Sequence, residues 1–435
     1  MESIWKNTAM PHFPPLRGDT RTDVLVIGGG MAGLLCAHFL QAAGVGCVVA
    51  EARTLAGGIT QNTTAKITSQ HGLIYRRLLD SFGPERTKLY LEANENAVSA
   101  FRGLCRDLDC DFSEQDNFIY SINDRAKLDA ELEALQILGF PAQFAESLPL
   151  PFHTMGAVKF PNQAQFHPLK FLSALAGDLT VYENTPVRKL TKGAALTDRG
   201  RIFADAVIVT THFPFLNRHG GYFLKQYQQR SYVLALENAP VFPGMYLDEK
   251  ENGLSFRCHD GHLLLGGGGH RTGKTGGSWQ ELEDFVQYHY PTARITHRWA
   301  TQDCMSLDGV PYIGQYSPRT PNLYVATGFN KWGMTSSMVA ARVLTDRITG
   351  KGSPYAGVFD PSRQMPLPQL GSNALEAAKN LLSFSPKRCP HMGCALKWNP
   401  NERTWDCPCH GSRFTQDGSL IDNPATEDLK KQERS

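Results

Sequence analysis

The chain lacks an apolar run long enough to span a bilayer. The longest, Val24 to Leu40, is 17 residues broken by four glycines, short of the roughly 20 that a spanning helix needs. It also lacks an excess of either charge. Lys+Arg 44 against Asp+Glu 42 leave a formal +2 over 435 residues, so no global field draws it to nucleic acid or to an anionic membrane. The opening stretch MESIWKNTAMPHFPPLRGDTRTD holds neither an apolar export segment nor a twin arginine, which predicts a cytoplasmic protein with no transmembrane segment. Internal repeats and low-complexity tracts are missing too. A 41% hydrophobic and 20% charged composition is that of an ordinary globular protein, and at about 150 residues per domain the length predicts about three domains.

Cysteine is present but unevenly spread. Of ten, Cys389, Cys394, Cys407 and Cys409 fall within 21 residues of one another. Cys36, Cys47, Cys105, Cys110, Cys258 and Cys304 are scattered, as structural cysteines of a reducing compartment are.

From Thr22 the pattern reads as a strand (DVLVIG), a glycine turn, a helix (MAGLLCAHFLQAAG) closed by Gly44, and a second strand (GCVVAEA). That is a βαβ unit opening a parallel sheet. Residues 81–148 read as mainly helical and polar, whereas FADAVIVTT at 203–211 is a buried strand. SYVLAL and HLLLGGG read as strands, and SWQELEDFVQYHY as a helix begun by a Ser278/Glu281 capping box. After Gly350 the segment KGSPYAGVFDPSRQMPLPQLGS carries four prolines and no periodicity, so it reads as a linker before a short helix, NALEAAKNLLS.

Gly28-Gly29-Gly30-Met31-Ala32-Gly33 fits G-x-G-x-x-G after a strand and at the start of a helix. There, free backbone N–H groups and the helix dipole can hold a pyrophosphate. Glu51 ends the next strand, placed to accept hydrogen bonds from an adenosine ribose and to disfavour a 2′-phosphate. Gly57-Gly58, then Thr60, Asn62, Thr63, Thr64 and Lys66, let the chain pass close to an extended dinucleotide.

With these motifs, residues 21–350 resemble the FAD-dependent oxidoreductases of the D-amino-acid and glycine oxidase superfamily. The resemblance also includes Asn184-Thr185-Pro186-Val187, the strand ADAVIVTT and the late segment SLDGVPYIGQYSPRTPNLYVATGFNKWGMTSSMVAARVLTD. It implies FAD contacts at Gly28, Gly30, Met31, Ala32, Gly33, Glu51, Ala52, Arg53, Gly58, Thr64 and Lys66, with Val187 at adenine. It brings Gly328, Lys331, Trp332, Gly333, Met334 and Thr335 back to the isoalloxazine. No candidate for a covalent-flavin cysteine is evident, so the FAD is expected to be dissociable.

Gly268-Gly269-His270-Arg271-Thr272-Gly273-Lys274-Thr275 satisfies the P-loop pattern after an apolar strand. Its mechanics do not fit, because Gly276-Gly277 separate Lys274-Thr275 from the helix start at Ser278, and ARITHRWATQD lacks the apolar run of a Walker-B strand. The loop is expected to border the substrate pocket.

Cys389-Pro390-His391 and Cys407-Pro408-Cys409-His410 place C-x-H fifteen residues before C-x-x-H. Two thiolates can hold one iron and two imidazoles the other. Tetrahedral zinc suits the same residue types, although it leaves six candidate ligands in two loops unexplained. CPHMGC and CPCHGS resemble the Rieske iron–sulfur family, which implies a 2Fe-2S cluster on Cys389, Cys407, His391 and His410 and a disulfide between Cys394 and Cys409. With about 50 residues from Ser385 onward, the supporting sheet is expected to be largely missing, and a module this small needs a staple.

The expected fold is α/β, with a Rossmann-like FAD-binding domain (21–100, 155–215 and 305–350) interleaved with an α+β substrate domain built on an antiparallel sheet (101–154 and 216–304). An N-terminal arm (1–20) precedes them, and a linker with a short helix (351–383) leads to the Rieske module (384–435). A flavin takes two electrons and a Rieske centre passes one, so their union suggests a dehydrogenase. The flavin resemblance implies an amine or amino-acid substrate, and the electrons need an acceptor such as a carrier protein or quinone. Lys331 is a candidate charge near the flavin, and Arg257 and His270 are candidate substrate contacts; Trp299 and Tyr312 suit core or pocket. A flavin/Rieske reductase, or a redox sensor without an amine substrate, stands as the alternative, although no second glycine fingerprint for NAD(P)H is present.

Hydrogen bonds to cluster sulfurs raise the reduction potential. Phe414 stands where high-potential Rieske proteins often carry a tyrosine hydroxyl, so Phe414→Tyr is expected to raise the cluster potential. Redox titration checks this, and an unchanged or lower potential refutes it.

Overall fold

The computed structural model describes residues 2–365 and 367–429. Its first sheet is parallel through Val181–Tyr182, Cys47–Ala50, Thr20–Ile27, Gly200–Val209 and Leu323–Thr327, with Tyr312–Gln315 antiparallel at one edge. Helices Met31–Ala42 and Gly333–Ile348 share the large core with one face of this sheet. A Cβ on Gly33 would lie 1.9 Å from the Gly28 carbonyl oxygen, so only glycine lets the first helix pack this close to its strand.

A second sheet of nine strands runs Arg294–Ser306, Gln226–Glu237, His262–Arg271, Ser255–His259, Met245–Asp248, Ser113–Tyr120, Ala157–Gln165 and Lys66–Ile67, with Gln143–Ala145 added on Ala157–Gln165. It is antiparallel except where Met245–Asp248 runs parallel to Ser113–Tyr120. Two of these strands lie inside 81–148, the stretch that reads as helical. SEQDNFIY at 113–120 opens on five polar residues, so its pairing comes from tertiary context and not from a pattern of alternation. Ala157–Gln165, within the stretch expected in the FAD-binding domain, belongs to this second sheet. The helix Tyr75–Cys105 is two helices meeting at Gly83 (φ 75°), because Pro84 cannot continue the hydrogen-bond ladder.

The proline-rich stretch after Gly350 is packed, unlike a free linker. Helix Ala356–Phe359 buries Val358 and Phe359, and Arg363 forms a buried ion pair with Asp308 at 2.7 Å. The following helix, Leu367–Leu382, starts earlier than the expected NALEAAKNLLS. No helix among the described residues is long and apolar enough to cross a membrane.

The C-terminal module keeps a reduced sheet where almost none was expected: Lys397–Asn399, Thr404–Asp406, Arg413–Phe414 and Leu420–Asp422 form an antiparallel meander. Cys394 and Cys409 are disulfide-bonded. The module is also stapled to the body. Along the paired strands Gln226–Glu237 and Arg294–Ser306, successive side chains point to opposite faces, and the even-numbered face holds the module. Gln228 Nε2 donates to the carbonyls of His410 (2.7 Å) and Asn423 (3.0 Å), and Gln302 Nε2 donates to Gln228 Oε1 (2.6 Å) and to the Gly411 carbonyl (2.9 Å). Arg230 pairs with Glu402, which also binds Arg413 at 2.6 Å; all three are buried or nearly so.

Removing Glu402 would leave two buried guanidinium groups short of a carboxylate. Glu402→Ala is therefore expected to cost about 3–5 kcal/mol, seen as an earlier denaturation of the module by fluorescence of Trp398 and Trp405. An unchanged midpoint would contradict this role.

Candidate functional site

A cavity of about 1310 Å³ runs between the two sheets. At one end the strand Thr20–Ile27 turns into helix Met31–Ala42, whose N-cap Gly30 offers no side chain; Met31 N donates to Thr60 Oγ1 (3.1 Å), and Gly30 and Ala32 line the cavity on either side of it. Gly28 permits the turn at φ 112°, where a Cβ would lie 2.9 Å from the Thr210 carbonyl. The Glu51 carboxylate accepts from Gly29 N (2.7 Å) and Arg53 N (2.8 Å), and burial raises its pKa. Ala52, Arg53, Gly58, Thr64, Lys66 and Val187 line the same space. The cavity continues to the turn after strand Leu323–Thr327, where Gly328, Lys331, Trp332, Gly333 and Met334 meet it.

Several residues singled out in the sequence lie behind the lining. Gly33 is a packing contact, as above. Thr335 Oγ1 donates to the Thr68 carbonyl (3.0 Å) beside His71. His71 accepts from the Tyr90 hydroxyl at Nδ1 (2.6 Å), donates from Nε2 to the Thr68 carbonyl (2.9 Å), and stacks on Trp332 with ring centroids 5.0 Å apart. Burial holds His71 down to about 3, so it is a neutral brace for the Trp332 indole.

Arg257 is fully buried and does not line the cavity. Its Nη1 donates to the carbonyls of Thr64 and Ala65 (the latter 2.9 Å), Trp5 covers its guanidinium, and Nε and Nη2 have no partner. It thus supports the backbone from which Lys66 reaches the cavity. His270 stacks on Tyr232 and also stays outside the lining. Trp299 and Tyr312 are core. In the P-loop-like stretch, strand His262–Arg271 runs through the would-be phosphate turn, Lys274 binds Glu376 at 2.8 Å, and a Cβ on Gly273 would strike Pro408. Gly269 lines the cavity, but the rest of that loop borders the C-terminal module.

The odd-numbered face of the strand pair that seats the module supplies cavity residues that the motifs did not single out: Tyr227, Ser231, Thr301, Asp303 and Met305. Burial raises Asp303 to about 6, with Lys331 and Arg230 acting the other way. Lys331, at φ 72°, donates to the Glu251 carbonyl at 3.0 Å and is lowered by burial. Polar residues alternating on a strand were the signal available in the sequence.

Across the sheet, the two cluster loops converge. Cys389 and Cys407 are free and buried, and the rings of His391 and His410 lie 4.9 Å apart. The Nδ1 atoms of both histidines are buried without a hydrogen-bond partner, while His391 Nε2 donates to Asn217 Oδ1 at 2.8 Å. That bond fixes the tautomer that leaves Nδ1 open to a metal. The Cys407 thiol and the His391 backbone N–H hold Cys389 down to about 7. Two thiols and two open imidazole nitrogens fit a cluster bound by two sulfurs and two nitrogens. The sulfurs of Cys394, Cys407 and Cys409 also lie within 4.8 Å of one another, but two of these three are bonded to each other and are not available as thiolates. The dinucleotide cavity likewise fits its group, with a helix N-terminus at a glycine turn, the Thr60 hydroxyl on Met31 N, and the Glu51 carboxylate beside them.

Comparison with known proteins identifies both domains. The family described as FAD dependent oxidoreductase matches residues 23–347, and the Rieske [2Fe-2S] domain matches 377–433. A Bacillus subtilis protein, YhfW, named as a Rieske 2Fe-2S iron–sulfur protein, is 35% identical over 99% of this chain and 97% of its own length. A cytochrome b6-f complex iron–sulfur subunit of Nostoc is 50% identical over 42 residues, 24% of that protein. Among solved structures, glycine oxidase from Geobacillus kaustophilus (TM-score 0.65, 19% identity) covers 80% of this chain and 100% of its own. L-proline dehydrogenase from P. horikoshii (TM-score 0.67, 17% identity) covers 80% and 98%. At these identities the likeness is one of fold.

Burial, and Arg257 behind it, hold Lys66 down to about 7 against an ordinary 10.5. The unfolded chain keeps that proton up to 10.5, so stability rises with pH between about 7 and 10.5, and the penalty is complete below that window. Lys66→Met is expected to stabilise the FAD-free protein by about 0.5–2 kcal/mol at pH 6, with the gain fading toward pH 10. Urea denaturation across pH checks this; a loss of stability at pH 6, or a gain independent of pH, refutes it.

Proposed function

Because the chain belongs to the FAD-dependent oxidoreductase family and carries a C-terminal Rieske [2Fe-2S] domain, we propose that it is a dehydrogenase oxidising the C–N bond of an amine or amino acid. Its electrons leave singly through the cluster to an external acceptor, a carrier protein or quinone. When bound, the flavin supplies two-electron oxidation and the cluster one-electron transfer.

The observation that carries this reading is the strand pair with a site on each face. Tyr227 and Asp303 face the cavity, and their neighbours Gln228 and Gln302 hold the backbone of His410 and Gly411. One sheet therefore separates the two redox sites. Glycine oxidase and L-proline dehydrogenase, as those structures are named, support an amino-acid substrate.

The chain's own residues then have these roles. Gly28, Gly30, Met31, Ala32, Glu51 and Val187 hold the adenosine and pyrophosphate. Trp332, braced by His71, and the Gly328–Met334 turn border the reacting end. Asp303, with a pKa near 6, accepts a proton from the substrate ammonium, since only the neutral amine carries the lone pair that assists C–H cleavage. Lys331 balances the charge left on Asp303.

Anaerobic addition of amines and amino acids is expected to bleach the flavin and then reduce the cluster, followed by absorbance and electron paramagnetic resonance. Reduction by NAD(P)H alone would make the protein a reductase, and reduction by neither would make it a sensor. In the first case Asp303→Asn should slow bleaching at least about tenfold, the usual lower end for a lost acid–base group being roughly a hundredfold.

A further inference from the structure

The wall of the dinucleotide cavity is not built by the flavoprotein body alone. Residues 420–423 and 425–428 of the C-terminal module line it, next to Glu51, Arg53, Val187 and Arg188. The contact is tied at several points. Arg53 Nη2 donates to the carbonyls of Leu420 (2.9 Å) and Ile421 (2.6 Å), and Arg188 Nη1 donates to the Thr426 carbonyl (3.0 Å). Asn423 Nδ2 donates to the carbonyls of Thr211 and Phe213 (the latter 2.8 Å), and Gln228 returns a bond to the Asn423 carbonyl.

The same segment is fastened to the cluster. Ala425 N donates to Ser412 Oγ (3.0 Å), and the Ser412 carbonyl accepts from Cys407 N (2.8 Å). Cys407 is a cluster thiol, so a short chain of bonds, Cys407 to Ser412 to Ala425, runs from the cluster loop to the cavity wall.

We infer that the Rieske module completes the FAD site, its segment 420–428 closing over the adenosine half, so that FAD retention and cluster occupancy stabilise one another. This rests on the FAD assignment and not on the identity of the substrate. The chemistry of the wall suits that ligand. Glu427 joins Glu51 around the cavity, with Asp422, paired to Arg413 (3.1 Å), and Asp428, which accepts from Leu420 N (2.8 Å), beside it. Carboxylates accept hydrogen bonds from ribose hydroxyls and the adenine amine, and they repel a further phosphate. Linkage makes the coupling reciprocal: whatever factor a docked module adds to FAD affinity, bound FAD adds to docking.

The test uses the full-length holoprotein and follows FAD release by recovery of free-flavin fluorescence on dilution, with iron content measured on the same samples. Asn423→Ala is expected to release FAD about tenfold faster, the equivalent of one or two net hydrogen bonds. Lys397→Ala, on an exposed strand of the module away from the cavity lining, should leave release unchanged. FAD release within twofold of wild type in an Asn423→Ala protein of normal iron content overturns the inference. Should that variant lose its iron, the reciprocal measurement decides: stripping FAD from the wild-type protein must speed proteolysis of the module severalfold, and a rate within twofold of the holoprotein overturns the inference. Neither readout requires a substrate, so a failed search for the amine leaves this result intact.

Discussion

A polar strand face buried against another part of the chain must have its hydrogen bonds met, because each unmet group costs more than a met one gains. Gln228, Arg230 and Gln302, on the even-numbered side of strands Gln226–Glu237 and Arg294–Ser306, form such a face. Gln228, Arg230 and Gln302 are buried, and their partners are backbone carbonyls and a carboxylate of the C-terminal module. Carbonyl groups at His410, Gly411 and Asn423 are fixed by the loop conformation, so the bonds set both position and orientation. The module's own core is small, grouped around Cys389, Cys394, Leu396, Cys407, Cys409 and Phe414. It draws definition from the body as much as from itself.

The charges within the cavity divide by depth. Among the described residues no acid faces Lys66 or Arg257: Arg257 donates to carbonyls from Nη1 alone, and Lys66 donates to Thr64 Oγ1. Lys331 instead lies near Asp303 and Glu251. A group of cations kept apart from carboxylates creates a positive potential in a low-dielectric wall, where it acts on whatever anion enters. The residue that looked like a substrate ligand, Arg257, is thus part of the wall's field, and Asp303, which no motif contains, faces the space itself.

The parts that could be read from the sequence were those whose chemistry fixes spacing. The glycine turn with Glu51 and the four cluster ligands each need certain residue types at certain intervals, whereas the return of Gly328 to Met334 was implied by the family resemblance alone. What stayed hidden depends on distant partners. Gln228, Arg230 and Gln302 went unremarked, because polar alternation on a strand looks the same whether water or a module covers it. The stretch after Gly350 read as a linker because prolines mask periodicity, yet Val358 and Phe359 are core and Arg363 meets Asp308. The module's sheet escaped notice because strands of two or three residues leave no pattern to count.

The order of synthesis gives the seat of the module a further consequence. Its donors, at 228, 230 and 302, leave the ribosome before the groups that satisfy them, the Glu402 carboxylate and the carbonyls at 410, 411 and 423. At 5–20 residues per second, the interval of roughly 100 residues lasts on the order of 5–20 s. During that time the nascent body carries a bare, hydrogen-bond-hungry strand face, and its FAD cavity lacks one side. The cluster ligands Cys389, His391, Cys407 and His410 are synthesised last, so the chain is completed from its flavin half toward its metal half.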